Sequence, residues 1–465
     1  MGLPLMAPRI TPPMHRSFIS IGCGVEEDPE IAAALTWLAA SSGDAPAFFS
    51  RLIAAQQRYR EVTADVATRG KDLLWSDLGP DIVAAYFAQG KSLLDDRRSY
   101  DFALVSHVVP WLKQLGANLP ALEQVDGARD RALHMLHRSA VLPDTTLFEL
   151  VMASNYAAEG FDVAFIKEGQ RKTPDLRLSG GGLGSELFVE LKRLQRGSYE
   201  IEERCRHVEI FRMLEPFLHE QALSVDVDVT YEKELSDVPV DYLLQQVKRA
   251  RASPILLSSG YPWRDDFGCG LIRDANVEAV RRDTHKSYLY FGTKMARLLS
   301  GRVVSENNYH LSAKVSANPE DPRYIDRMKF GSVVTWQCTA PKAIERKAKY
   351  VRSKLAEADR QIAGHGPGII HIAMDAELHS EASDLRRQRN KDTLGTFQMT
   401  SQAAVVYLHY LVPRVSEDHS WLTDETVDVF SRLSRPPPPF SAFPNSTTLS
   451  NDEPAWWQHL RSPNA

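Results

Sequence analysis

Through most of the first 140 residues, apolar side chains recur at three- and four-residue spacing, which predicts helices. After an irregular, proline-bearing stretch at 1–27, Asp28 is placed to cap a helix that has Pro29 at its first position. Further helical runs follow at 45–69, 79–95, 98–115 and 119–138, so residues 28–140 read as an α-helical N-terminal domain. Near Pro143 the pattern changes. Asp144 or Thr145 is expected to cap a helix running to about Glu159, where Gly160 ends it. Residues 161–166 alternate as a strand, and 175–179 and 186–193 flank the glycine-rich turn 180–184 as two antiparallel arms. A helix over 200–221, a β-patterned stretch at 223–231 and a helix over 237–250 complete the order α-β-β-β-α-β-α.

Farther along, 287–291, 309–315 and 332–338 read as strands, and 341–363 as a helix rich in lysine and arginine. The near-continuous apolar runs 368–374 and 403–411, with a helix between them, suit a parallel crossover that extends a sheet. The chain therefore divides into a core at 141–260, an α/β extension at 261–430 and a Pro-rich tail at 431–465. The tail is expected to lie over the surface or to stay unstructured.

Composition adds little to this picture. With 465 residues, 43% hydrophobic and 25% charged, the chain is an ordinary globular protein large enough for two or three domains. A net charge of −5 offers no general footprint for a polyanion, so nucleic-acid contact would have to come from local basic patches. Cys23, Cys205, Cys269 and Cys338 are scattered without C-x-x-C spacing, which suggests reduced thiols and neither a zinc site nor a disulfide framework. There is no apolar window of spanning length and no h-region near the N-terminus. The expectation is a soluble, cytoplasmic protein with no membrane partner.

The candidate chemistry lies in about fifty residues. Glu149 sits in the helix before the first strand, Pro174-Asp175 opens one hairpin arm, and Glu190-Leu191-Lys192 lies on the other. Alternation on a strand sends Glu190 and Lys192 to one face and Val189 and Leu191 to the other. Antiparallel pairing can bring Asp175 beside Glu190, and a proline is tolerated at the first strand position. Three carboxylates and a lysine at one sheet edge can hold Mg²⁺ and activate water against a phosphodiester. The bland alternative is that Lys192 only neutralises Glu190 and Asp175 in a partly buried ion pair. Glu-x-Lys alone means little, since Glu345-Arg346-Lys347 has the same spacing on what reads as a solvated helix face.

Pro174-Asp175, a hairpin, and Glu190-Leu191-Lys192, set in the order α-β-β-β-α-β, resemble the PD-(D/E)xK nuclease superfamily over about residues 144–250. The resemblance implies an α/β fold, with a restriction-endonuclease-like αβββαβ core on a mixed sheet. The helical domain would precede this core and the α/β extension would follow it. It further implies that Asp175 and Glu190 ligate Mg²⁺, or Mn²⁺ in its place, with the main-chain carbonyl of Leu191 as an extra ligand. Lys192 would orient or deprotonate the attacking water, and Glu149 would serve a second metal or position water. The implied substrate is DNA, most naturally double-stranded, in restriction or anti-phage defence, and a homodimer would suit cleavage of both strands. A different reading is a non-catalytic nucleic-acid-binding or scaffold protein that retains the fold.

Arg193, Gln195 and Arg196, just after the motif, are candidates for phosphate contact, with Arg204 and Arg206 beyond them. Two further basic tracts, 342–354 and 386–391, could line a duplex channel or be solvated helix faces. Gln195 and Tyr199 match the Gln-x-x-x-Tyr of one branch of the superfamily but follow Lys192 too soon, in what reads as a loop. His371, within an apolar strand, reads as a satisfied core histidine. The run 180–184 lacks the Lys-Ser/Thr of a phosphate loop, and no G-x-S-x-G is present.

Overall fold

The structure is a computed structural model. It describes residues 28–444 apart from 70–74, 96–99, 101, 138–140, 168, 170–171, 284–292, 303, 305–307, 318–324, 377–380, 416–420, 435–436 and 438–439. The irregular segment at 1–27 and the strand expected at 287–291 lie outside the described residues.

Asp28 caps the first helix as its position predicts, its side chain accepting from the Glu30 and Ile31 amides at 3.1 Å each. This helix, α1 (Pro29–Ser41), is followed by α2 (Ala45–Arg69), α3 (Ile82–Asp95), α4 (Phe102–Ala117), α5 (Leu119–Leu122), α6 (Ala128–His137) and α7 (Asp144–Ala158). Asp144 is the first residue of α7, without a side-chain cap bond, and it lies beside Arg193 and Tyr86. Three strands follow, β1 (Phe161–Phe165), β2 (Leu176–Gly180) and β3 (Leu187–Arg193), paired antiparallel in sequence. Gly181 turns between β2 and β3 at φ +57°, and a Cβ there would sit 2.7 Å from the Phe161 ring, so the turn requires glycine twice over.

The chain then leaves this sheet. It runs through α8 (Ser198–Glu220), β4 (Val225–Tyr231), α9 (Tyr242–Ala252), β5 (Tyr261–Arg264), β6 (Gly268–Asp274), α10 (Val277–Asp283), α11 (Thr293–Ser300), β7 (Tyr309–Ala317) and β8 (Ile325–Cys338). These strands form a second, five-stranded mixed sheet in the order β5-β6-β4-β8-β7. The chain returns through α12 (Pro341–Ile362), β9 (Gly368–Asp375), α13 (Glu381–Thr396), β10 (Ala403–Val415) and β11 (Trp421–Ser431). The first sheet is thereby completed as β1-β2-β3-β9-β10-β11, also mixed, with β3, β9 and β10 parallel.

The molecule is thus α/β with two mixed sheets, and the parallel strand-helix-strand crossover at β9-α13-β10 is present. Two expectations are corrected. The strand beside β3 is β9 and not β4, which pairs with β6 and β8 in the other sheet. The tail is also not confined to the surface. Phe440 stacks on Tyr156 with ring centroids 4.2 Å apart, and Ala442 and Phe443 belong to the main core.

That core has no seam at residue 140. Ile31, Leu112, Leu150, Val163, Leu176, Val189 and Leu191 share one buried cluster, so the N-terminal helices cover one face of the six-stranded sheet. The opposite face is covered by α12, which packs across β3 and β9. No helix among the described residues is long and apolar enough to cross a membrane.

Candidate functional site

The hairpin register builds the site. Leu176 on β2 faces Val189 on β3, so Asp175, one residue earlier, falls beside Glu190. The Asp175 amide donates to the Val189 carbonyl at 3.0 Å, and its own carbonyl accepts from Ile166 at 2.9 Å. Pro174 can precede it because no ladder bond is asked of that nitrogen. The Asp175 side chain is then fixed by the Leu191 amide, which donates to Oδ2 at 2.8 Å. Val189 and Leu191 are buried with α4 and α7, while Lys192 reaches α12 on the other face.

Lys192 Nζ donates to Gln361 Oε1 at 2.7 Å and lies 3.6 Å from Glu357 and 2.5 Å from Glu190 Oε1. The contact with Glu190 is a close charge-assisted ion pair. Glu190 is 0% exposed; among the described residues Lys192 is the one partner of Oε1, and Oε2 has no hydrogen-bond partner. Glu149, 3% exposed on α7, accepts from Arg131 Nε at 2.5 Å. Arg131, on α6, also places Nη2 3.6 Å from Asp175 Oδ1. The four residues singled out from the sequence are therefore brought into one connected electrostatic group.

Burial dominates their protonation. Desolvation pushes Glu149, Asp175 and Glu190 each up to about 7. Asp175 adds to the rise at Glu149, and Glu190 adds to it at Asp175. Lys192 opposes the rise at Glu190 without overcoming it. Burial alone would lower Lys192, but the charges of Glu190, Asp175 and Glu357 outweigh burial and raise it. Lys192 is accordingly an ammonium at neutral pH, suited to holding water or negative charge and not to accepting a proton.

Among the described residues, no three His, Cys, Asp or Glu side chains form a ready-made metal cage. The donor set still fits a hard divalent cation. Mg²⁺ commonly takes only one or two carboxylates and fills its other positions with water and substrate oxygens. Glu190 carries a buried Oε2 with no hydrogen-bond donor, and Asp175 and Glu149 share the guanidinium of Arg131. Asp175 and Glu190, with Glu149 behind them, are the residues that could hold such an ion.

Three contributors carried no sequence signal. Arg131 lies in an ordinary amphipathic helix, and Glu357 and Gln361 lie one turn apart on α12, more than 160 residues from the motif. Gln361 bridges Lys192 to the Thr173 carbonyl, to which its amide donates at 3.1 Å. Lys172 and Lys354 hold Glu357 down to about 2, the hydrogen bond from Lys172 being the larger cause.

The basic residues fare differently. Arg193 turns inward, paired with Asp375 and donating to the Leu194 carbonyl at 3.1 Å, and is not at the surface. Gln195 and Arg196 are exposed. Arg206 donates to the carbonyls of Leu235 and Val238. Lys347, expected on a solvated face, is instead half-buried and paired with the buried Glu203 at 2.7 Å. In the 386–391 tract, Arg387 makes a buried bidentate pair with Asp428 at 3.0 and 2.7 Å. His371 is a satisfied core histidine, between Tyr156 at 2.7 Å and His409 at 2.9 Å.

No family model matches the chain, and comparison with curated proteins and with solved structures finds no similar protein.

Proposed function

We propose that the chain is a divalent-metal-dependent nuclease that hydrolyses phosphodiester bonds of DNA. The observation that carries this reading is Glu190, a fully buried carboxylate whose Oε1 meets only Lys192 and whose Oε2 has no hydrogen-bond donor, beside Asp175. Element order supports it in a form the sequence did not suggest: α7, β1, β2 and β3, then α12 and β9, follow the αβββαβ order of restriction-endonuclease-like cores. The stretch from α8 to β8 is then an insertion that carries its own sheet. A bound Mg²⁺ or Mn²⁺ would lower the pKa of a coordinated water and neutralise charge developing on the phosphoryl oxygens. Asp175 and Glu190 would hold it, the Leu191 amide keeps Asp175 aimed, and Gln361 keeps Lys192 where negative charge accumulates. Dimerisation and a role in restriction or anti-phage defence belong to the same proposal.

A second reading, a nucleic-acid-binding protein that retains the fold without catalysis, is favoured by one observation. Arg131 already supplies Glu149 and Asp175 with positive charge.

Supercoiled plasmid incubated with the protein and Mg²⁺ or Mn²⁺ separates the two readings. Nicking or linearisation that disappears with EDTA and in Lys192→Ala is the expected result. Cleavage that survives Lys192→Ala would remove the assignment. DNA retention without cleavage, unchanged in Asp175→Asn, would favour the second reading.

A further inference from the structure

The helix α12 meets the candidate site along one edge and solvent along another. Gln361 and Glu357, one turn apart, reach Lys192. Val351, Leu355, Ala358 and Ile362 pack on Ile370 and Ile372 of β9. That placement leaves Lys342, Arg346, Lys349, Arg352 and Arg360 exposed, and their helical spacing sets them along the outer side of α12. From Lys342 to Arg360 the row is about 27 Å long at 1.5 Å per residue. That is the length of about eight base-pair steps of DNA.

Charge along this row is unbalanced. Lys342 and Arg346 share one carboxylate, Glu234, at 3.9 and 3.5 Å, and Lys349 pairs with Glu345 at 3.0 Å. Among the described residues, Arg352 and Arg360 have no hydrogen-bond or ion-pair partner for their guanidinium groups. Five cations therefore meet two carboxylates, on a chain whose net charge is −5. Exposed pairs of this kind hold little energy and give way readily to phosphate oxygens. The row ends at the site, where Arg360 precedes Gln361 and Glu357 lies within 3.6 Å of Lys172, Lys192 and Lys354. Aromatic rings beside the row are covered by its cations. The Arg346 guanidinium lies 5.0 Å from the ring centre of Tyr199, and Lys354 Nζ lies 5.9 Å from that of Tyr350. Single-stranded sites need open rings on which bases stack, whereas a row of cations alone suits the phosphates of a duplex.

We propose that the outer side of α12 tracks the phosphate backbone of duplex DNA and leads it to the Lys192 end of the helix. The contact itself needs no cleavage, and only its purpose, presenting a phosphodiester to Asp175, Glu190 and Lys192, rests on the nuclease reading. Arg352 and Arg360 carry most of the attraction, because neither gives up a carboxylate on binding.

Fluorescence anisotropy of the full chain in EDTA, with a labelled DNA duplex of mixed sequence and its single strand at several salt concentrations, tests it. The duplex should bind more tightly than the single strand. Replacing both exposed arginines, Arg352→Gln with Arg360→Gln, should weaken the duplex roughly tenfold at about 100 mM salt. The same change should reduce the slope of log affinity against log salt by about two. Arg129→Gln, at an exposed position on α6 across the sheet, should change neither. An unchanged slope in the double variant, an equal loss in Arg129→Gln, equal affinity for the single strand, or no duplex binding would overturn the proposal. Duplex binding with the expected losses but no cleavage in Mg²⁺ would support the surface and remove the nuclease reading alone. Metal-dependent cleavage with an unchanged slope would do the reverse.

Discussion

Glu190 and Arg131 show what the individual residues of this site are built to tolerate. Glu149, Asp175 and Glu190 are raised to about 7 from ordinary values of 4.5, 3.8 and 4.5. A carboxyl raised in the folded state stabilises the protein fully below its unfolded pKa, and that contribution is lost as pH rises through the folded value. The metal-free protein should therefore lose stability between about pH 4 and pH 7 on account of these groups. Glu190→Gln should raise the melting temperature at pH 8 in EDTA by a few degrees while cutting cleavage at least about a hundredfold. A lower melting temperature in that variant would show that Glu190 serves the fold and not the site. Arg131 competes with any divalent cation for Glu149 and Asp175. Arg131→Gln should therefore tighten Mn²⁺ binding by roughly tenfold, about 1.4 kcal/mol, in a calorimetric titration. Weaker Mn²⁺ binding in Arg131→Gln would make Arg131 a support for the site instead of a competitor.

Elements, in turn, are joined by polar contacts that local pattern does not announce. Glu425 on β11 accepts from His409 Nδ1 at 2.6 Å and from the Ala442 and Phe443 amides at 2.9 and 2.8 Å. Asn155 on α7 donates to the Ser441 and Ala442 carbonyls at 3.0 and 3.1 Å. The segment around Phe440 is thus held by backbone bonds as well as by packing on Tyr156 and Trp111. Removing residues 438–465 should cost about 3–5 kcal/mol, from lost aromatic burial and two lost amide donors to a buried carboxylate. Urea denaturation would read this as a lower midpoint, and an unchanged midpoint would show the segment to be a passenger. The Glu345-Arg346-Lys347 run makes the same point in miniature. Glu345 faces water and Lys349, while Lys347, two residues on, turns inward to pair with the buried Glu203.

At the scale of the whole molecule, the second sheet contributes its own pH dependence. His207 on α8 and His310 on β7 are hydrogen-bonded at 2.9 Å, and Trp336 stacks on His207. Burial lowers both, His310 to about 3 from 6.5. A depressed histidine contributes stability that is present above its unfolded pKa and lost as pH falls towards the folded one. Relative to His310→Gln, the native protein should lose up to about 1.4 kcal/mol per pH unit below pH 6.5. Parallel denaturation of the two proteins from pH 7 to pH 4 measures that slope, and parallel curves would exclude the assignment.

What the sequence determined was local. Helical periodicity, the Asp28 cap, the glycine turn and the alternation of β3 depend on neighbours a few residues away. They placed Asp175, Glu190 and Lys192 together because one hairpin carries all three. What only the tertiary structure decided was which distant segments complete the sheet and the site. The strand β4 carries Asp226 and Asp228, which need cations, and finds them in Arg273 on the neighbouring β6 and in Arg302 in the loop after α11. The apolar strand β9 can sit between β3 and β10, buried from both sides, as parallel interior strands require. Arg131, Glu357 and Gln361 enter the site by that same folding. A buried charge selects its partners by distance in space, which periodicity along the chain does not encode.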